Sequence, residues 1–121
     1  MANPVPNKSD GNANRTPVKW TAYSASGAIE IDDEVVLLTK AGVGTMTLAA
    51  STNPDMNGLE MTVTSTTAQA HTVTVALGFN ATATTLVKAT FGGAIGDSMI
   101  LRAYAGSWYV AGVTNVTFGT A

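Results

Sequence analysis

Apolar residues recur at every second position through most of the chain, and polar ones, above all threonine, fill the gaps. From Val43 to Ala49, Met46 and Leu48 face one way and Thr45 and Thr47 the other. Leu59, Met61 and Val63 alternate with Glu60, Thr62 and Thr64, and His71, Val73, Val75 and Leu77 alternate with Thr72, Thr74 and Ala76. This period of two predicts strands with one core-facing side. The short polar connection Thr66 to Ala70 predicts that the last two runs pair as a hairpin. A further hairpin is predicted from Ser98–Tyr104 and Trp108–Val113 around Ala105-Gly106-Ser107, with Met99, Leu101 and Val110 inward and Arg102, Tyr104 and Tyr109 on the opposite face. Shorter strands are expected at Lys19–Tyr23, within Gly27–Leu38, at Leu86–Phe91 and in the tail Thr114–Phe118. Val35-Val36-Leu37-Leu38 is apolar on both sides, which suits a strand buried on both faces or lying in an interface. Asp32-Asp33-Glu34, Lys40-Ala41-Gly42, Ala50–Gly58 and Gly78–Thr85 read as turns and loops. No stretch has helical spacing, so the expected fold is all-β, a compact antiparallel β-sandwich or β-barrel.

The pattern stops before Val18. Pro4, Pro6 and Pro17, three of the four prolines, lie there among Asn, Ser and Gly. Too little apolar area is present to offset the entropy of ordering, which predicts an extended N-terminal arm over residues 1–17 and one β domain over 18–121. A floppy tail is the first reading of such an arm, and ordering against a neighbouring subunit is the alternative. Only 12% of the residues are charged and 19 are threonine, so the surface is largely neutral. A net charge of −2 with scattered basic residues gives no footprint for nucleic acid or anionic membrane. No apolar run approaches the roughly 18 residues of a spanning helix, and the first residues lack the apolar core of a signal peptide. The absence of cysteine excludes disulfides and thiolate metal sites and suits a chain made in a reducing cytoplasm.

Residue types that carry chemistry are few. His71 is the single histidine, and its phase with Val73 and Val75 assigns it a structural place with a hydrogen-bond partner. Asp32-Asp33-Glu34 lacks the oxygen spacing of a calcium loop and reads as a solvated turn. Gly92, Gly93 and Gly96 precede a strand, whereas phosphate-binding glycines precede a helix; they read as turn glycines. No catalytic, cofactor-binding or metal-ligating residue is assigned. Aromatics remain: Trp108 and Tyr109 must point to opposite faces, so at most one can join Tyr104 in a sugar-stacking platform. Packing in the core or between subunits is the preferred reading. The candidate interface residues are Trp20, Val35, Leu37, Arg102, Tyr104 and Tyr109.

The runs Val35-Val36-Leu37-Leu38-Thr39-Lys40-Ala41-Gly42, Thr45-Met46-Thr47-Leu48-Ala49 and Gly58 to Val73 resemble small virion structural proteins of tailed bacteriophages. Phe91-Gly92-Gly93-Ala94-Ile95-Gly96-Asp97 with Ala103 to Val110 resembles the same group, which includes head decoration (cement) proteins and fibre-like components. The likeness spans about Gly27 to Phe118 and leaves out the arm. It implies an all-β homotrimer on the capsid exterior, made in the host cytoplasm, whose partner is the major capsid protein and which needs no cofactor. A head or tail fibre module touching the host surface, and a carbohydrate-binding module, are the alternative expectations.

Overall fold

The computed structural model describes residues 19–82 and 85–120. The expected arm, residues 1–17, lies outside them. Ten strands form: β1 (Trp20–Tyr23), β2 (Gly27–Ile29), β3 (Val35–Leu38), β4 (Thr45–Leu48), β5 (Glu60–Ser65), β6 (Thr72–Thr74), β7 (Lys88–Phe91), β8 (Ser98–Tyr104), β9 (Ser107–Thr114) and β10 (Val116–Gly119). They build two five-stranded sheets, the first in the order β1-β3-β5-β8-β9 and the second in the order β10-β7-β6-β4-β2. The molecule is a β-sandwich, and its sheets do not close into a barrel. Among the described residues the one helical element is a 3-10 turn at Pro54–Met56, which buries Met56.

The sheets are mixed, not antiparallel as expected. The first six strands alternate between the sheets, and β1, β3 and β5 pair in parallel, as do β2, β4 and β6. Parallel neighbours cannot be joined by a tight turn and need a crossover. Here each crossover is a strand of the facing sheet, so the chain winds as a flattened coil with two strands per turn. After β6 it reverses: β7 pairs antiparallel to β6, β8 to β5, β9 to β8 and β10 to β7. The tail strand β10 thus pairs within its own chain.

The hairpin expected between Leu59–Ser65 and His71–Leu77 does not form, because β5 and β6 belong to different sheets. Their connection instead stacks on the equivalent connection of the previous coil turn. Thr66 Oγ1 and N–H donate to Leu38 O, Thr67 Oγ1 donates to Lys40 O, and Gln69 Nε2 donates to Ala41 O. A short polar loop suits either geometry, and only these contacts select the crossing.

Between the sheets lies one apolar layer. It takes Val36, Leu38, Met61, Val63, Met99, Leu101 and Trp108 from the first sheet and Ile29, Met46, Leu48, Val73, Ala89, Phe91 and Val116 from the second. Met46, Leu48, Met99 and Leu101 are buried as the alternation predicted, with Val110 packed half-buried against them. Leu59 and Leu77, expected inward, are exposed, since each lies just outside its strand and escapes the alternation. Phe79, inside the segment that reads as a loop, is fully buried and meets Phe118 edge-on with ring centroids 5.0 Å apart. Trp108 is also fully buried; its Nε1–H donates to Ala49 O at 2.9 Å, tying the last hairpin to the coil.

The β8–β9 hairpin forms as predicted, with a tighter turn. Tyr104 pairs with Ser107, leaving Ala105 and Gly106 as the connection, at φ of 51° and 85°. Two consecutive positive φ values mark the turn family that matches strand twist, and alanine there is strained where glycine or asparagine is not. Replacing Ala105→Asn should therefore raise the unfolding free energy by up to about 1 kcal/mol, and Gly106→Ala should lower it by a similar amount. Denaturant unfolding of the two variants checks both signs.

Candidate functional site

Strand register fixes what the outer face of the first sheet presents. Trp20 lies beside Val35, Val35 beside Thr62, Thr62 beside Ile100 and Ile100 beside Gly112, so five strands contribute one row. A second row is Ala22, Leu37, Thr64, Ser98 and Thr114. A shorter row joins Glu60, Arg102 and Tyr109, with Tyr104 two residues further along β8. All six residues singled out from sequence, Trp20, Val35, Leu37, Arg102, Tyr104 and Tyr109, fall on this one face. Trp20 and Tyr104 are 60% and 62% exposed, and Val35 and Leu37 are half-buried with their neighbours Val36 and Leu38 in the core. The Tyr104 and Tyr109 rings are tilted with centroids 6.4 Å apart, while Trp108 is in the core and joins no surface platform.

Sequence reasoning left out Ile100, Leu59, Glu34 and Glu60, which share this surface. Ile100 was legible in principle, because it alternates with the inward Met99 and Leu101. Glu34, Val35, Gly58, Leu59, Glu60 and Thr62 line a groove of about 340 Å³ where β3 and β5 begin. Glu60 is paired with Arg102 at 3.1 Å, both side chains more than half exposed. Across β9 a bulge interrupts the register, since Ile100 faces Gly112 but Leu101 faces Val110. The outer face of the second sheet is plainer: Thr45, Thr72, Thr90 and Thr117 stand in register across four strands.

The acidic segment forms the expected turn with Asp32 and Glu34 exposed, but Asp33 is not solvated. Asp33 is buried, and its carboxylate accepts hydrogen bonds from Lys19 Nζ at 2.8 Å, Thr21 Oγ1 at 2.8 Å and Tyr23 OH at 2.7 Å. Lys19 also reaches Glu30 at 2.6 Å and Asp32 at 3.1 Å. Carboxylate oxygens of Glu30, Asp32 and Asp33 lie within 4.8 Å of one another, a spacing that could hold a cation. The Lys19 ammonium stands among them and already supplies that positive charge. Burial alone would push the Asp33 carboxyl up, but the donors from Lys19, Tyr23 and Thr21 outweigh it and the net effect is a lowering. The same cluster raises the Lys19 ammonium, first through Asp33 and then Glu30. Burial raises the Tyr23 phenol. The arrangement clasps β1 to the turn that precedes β3, a structural task.

His71 is fully buried and takes the structural place assigned to it. Gly44 N–H donates to its Nδ1 at 2.8 Å, which leaves the proton on Nε2 to donate to Thr67 Oγ1 at 2.9 Å. The Thr67 hydroxyl in turn donates to Lys40 O. Desolvation, followed by the nearby Lys40 charge, holds the imidazole below its usual 6.5. The glycine-rich segment cradles an anion, but one of its own: Ala94 N–H donates to Asp97 Oδ2 at 2.8 Å, and Asn115 Nδ2 donates to Asp97 Oδ1 at 3.0 Å. The Ala94 amide leads in holding the Asp97 carboxyl below the usual range against its burial, with help from Asn115 and the Gly93 and Gly92 amides. A Cβ on Gly92 would collide with the Asn115 side chain, so glycine is required there for close approach.

No protein-family model matches the chain, and no curated protein matches its sequence.

These buried groups set the acid response. Asp33 and Asp97 have lowered native values, so their contribution is complete above the ordinary carboxylate value of 3.8 and is lost as pH falls below it. His71 is also lowered: the unfolded chain takes up a proton near 6.5 while the native one does not, so stability falls as pH drops below 6.5. The unfolding free energy should be level from pH 7 to 8, decline below about 6.5 at up to ~1.4 kcal/mol per pH unit, and fall more steeply near 4, with the melting temperature following it. In His71→Gln the first decline should vanish although the variant melts lower throughout. Calorimetry across pH for both proteins checks this.

Proposed function

We propose that the protein is a virion structural protein, a decoration protein that binds the outer surface of a tailed-phage head as a homotrimer and stiffens it by bridging major capsid subunits. The observation that carries this reading is the convergence of Trp20, Val35, Leu37, Arg102, Tyr104 and Tyr109 on one broad, mostly neutral face. Exposed aromatic and apolar residues gathered on one side of a small domain suit association rather than solvation. In this reading the Arg102, Tyr104 and Tyr109 end of the face meets a sister copy, and the Trp20 and Val35 end meets the shell. The titratable residues support it as well. Asp33, Asp97 and His71 spend their hydrogen-bonding capacity on the fold and offer no nucleophile with an activating base. The resemblance of Gly27 to Phe118 to phage virion proteins points the same way.

A carbohydrate-binding or fibre role keeps one specific support, the exposed Tyr104 and Tyr109 pair. The readings separate on assembled particles. A decoration protein should coat purified heads in a regular array and raise their rupture temperature, and Tyr104→Ala with Tyr109→Ala should weaken trimer formation. Equal heat tolerance of coated and bare heads would count against decoration. Few copies at a vertex or tail would indicate a fibre, and glycan retention lost in Tyr104→Ala a carbohydrate module.

A further inference from the structure

The negative charge of the domain is gathered at one place. Glu30, Asp32, Asp33 and Glu34 precede β3, and Glu60 begins β5 beside them, against Lys19 and Arg102 as the cations bound there. The other charged residues described, Asp55 and Asp97 against Lys40 and Lys88, balance. Within this acidic end the groove is lined by Val35, Gly58, Leu59 and Thr62 together with two glutamates, Glu34 and Glu60. Glu34 is exposed and makes no ion pair among the described residues. Glu60 meets Arg102 only through Nε at 3.1 Å and one of its oxygens, Oε2. Trp20, in register with Val35, stands exposed at the side.

We infer that this groove is a docking site for a basic side chain, arginine or lysine, presented by a partner polypeptide. A groove lined by Val35 and Leu59 together with two glutamates matches a side chain that buries its methylene stem and keeps a cationic head among carboxylates. Arginine fits best, since a planar guanidinium can bridge two carboxylates and lie against the exposed indole of Trp20. A second copy docked by the same end would bring like charge against like charge, and a metal ion would have to displace Lys19 from the neighbouring cluster. A basic segment faces neither obstacle. The inference rests on reading this face as an interaction surface, and in the decoration reading the basic residue belongs to the head shell.

The test is a titration of the full-length, isotope-labelled protein with N-acetyl-argininamide, followed by amide chemical shifts, with N-acetyl-glutaminamide as the neutral control. Saturable shifts confined to Glu34, Val35, Leu59 and Glu60, weakened by salt and reduced about two- to fivefold in affinity by Glu34→Gln, are expected. Both glutamates are exposed, so Glu34→Gln and Glu60→Gln should keep native spectra. Equal shifts with the glutamine compound, or shifts centred elsewhere, would overturn the inference. Head binding then separates it from the functional proposal. If heads bind wild type and Glu34→Lys equally well, the groove is not the contact and decoration stands. If arginine seats in the groove but heads do not bind, decoration fails and the groove stands.

Discussion

The packed layer between the two sheets is what the rest of the molecule depends on. Among the described residues no strand is longer than eight residues and several have three or four, so a pair of such strands could not stand alone in water. Each strand contributes one to three side chains to a layer that only the complete sandwich covers. The alternation of threonine with valine, methionine and leucine serves this layer directly, because one face of every strand must be dry and the other wet. Coiling the first six strands between the sheets achieves parallel pairing without helices, which explains how so short a chain carries ten strands.

Polar residues of the kinds that usually do chemistry are used here as fasteners. Asp33 secures β1, an edge strand, to the turn that follows β2. His71 and Thr67 fix the stacked connections of two successive coil turns, Lys40 to Gly44 against Thr67 to His71. Asp97 holds the glycine loop between β7 and β8 against Asn115, which lies between β9 and β10. Each sits where the chain crosses from one sheet to the other, where ladder hydrogen bonds end and backbone amides need other partners. A buried carboxylate with several donors satisfies those amides and hydroxyls together, and that satisfaction lowers its proton affinity.

With the titratable groups committed inside, the surfaces differ mainly in shape and polarity. The second sheet shows threonine in register, a face that water wets well. The first sheet shows Trp20, Ile100, Tyr104 and Tyr109 with half-covered Val35 and Leu37, bounded by the carboxylates at the start of β3 and β5. The contrast between the two faces gives the molecule a direction, and the proposed role of binding a larger assembly uses that direction. A bulged β9 at one edge and the Lys19 cluster at the other frame the surface.

Within the strands the sequence by itself determined which residues point inward, while Leu59, Leu77 and Phe79, outside them, escaped it. A period of two puts Met99 and Leu101 on one side and Arg102 and Tyr104 on the other wherever the strand is placed, so the candidate face could be assembled residue by residue. Tyr109 was separated from Trp108 by the same rule. Partner choice was beyond it, since the local pattern of a strand is the same in parallel and antiparallel neighbours. Whether β5 turns back on itself or crosses to the other sheet depends on Thr66, Thr67 and Gln69 finding carbonyls 28 residues away or nearly so. Burial of Asp33 required Lys19, Thr21 and Tyr23 to arrive from another strand, and burial of Phe79 required the ring of Phe118 from the far end of the chain. Contacts between segments distant in the chain leave no local period, and only the tertiary structure decides them.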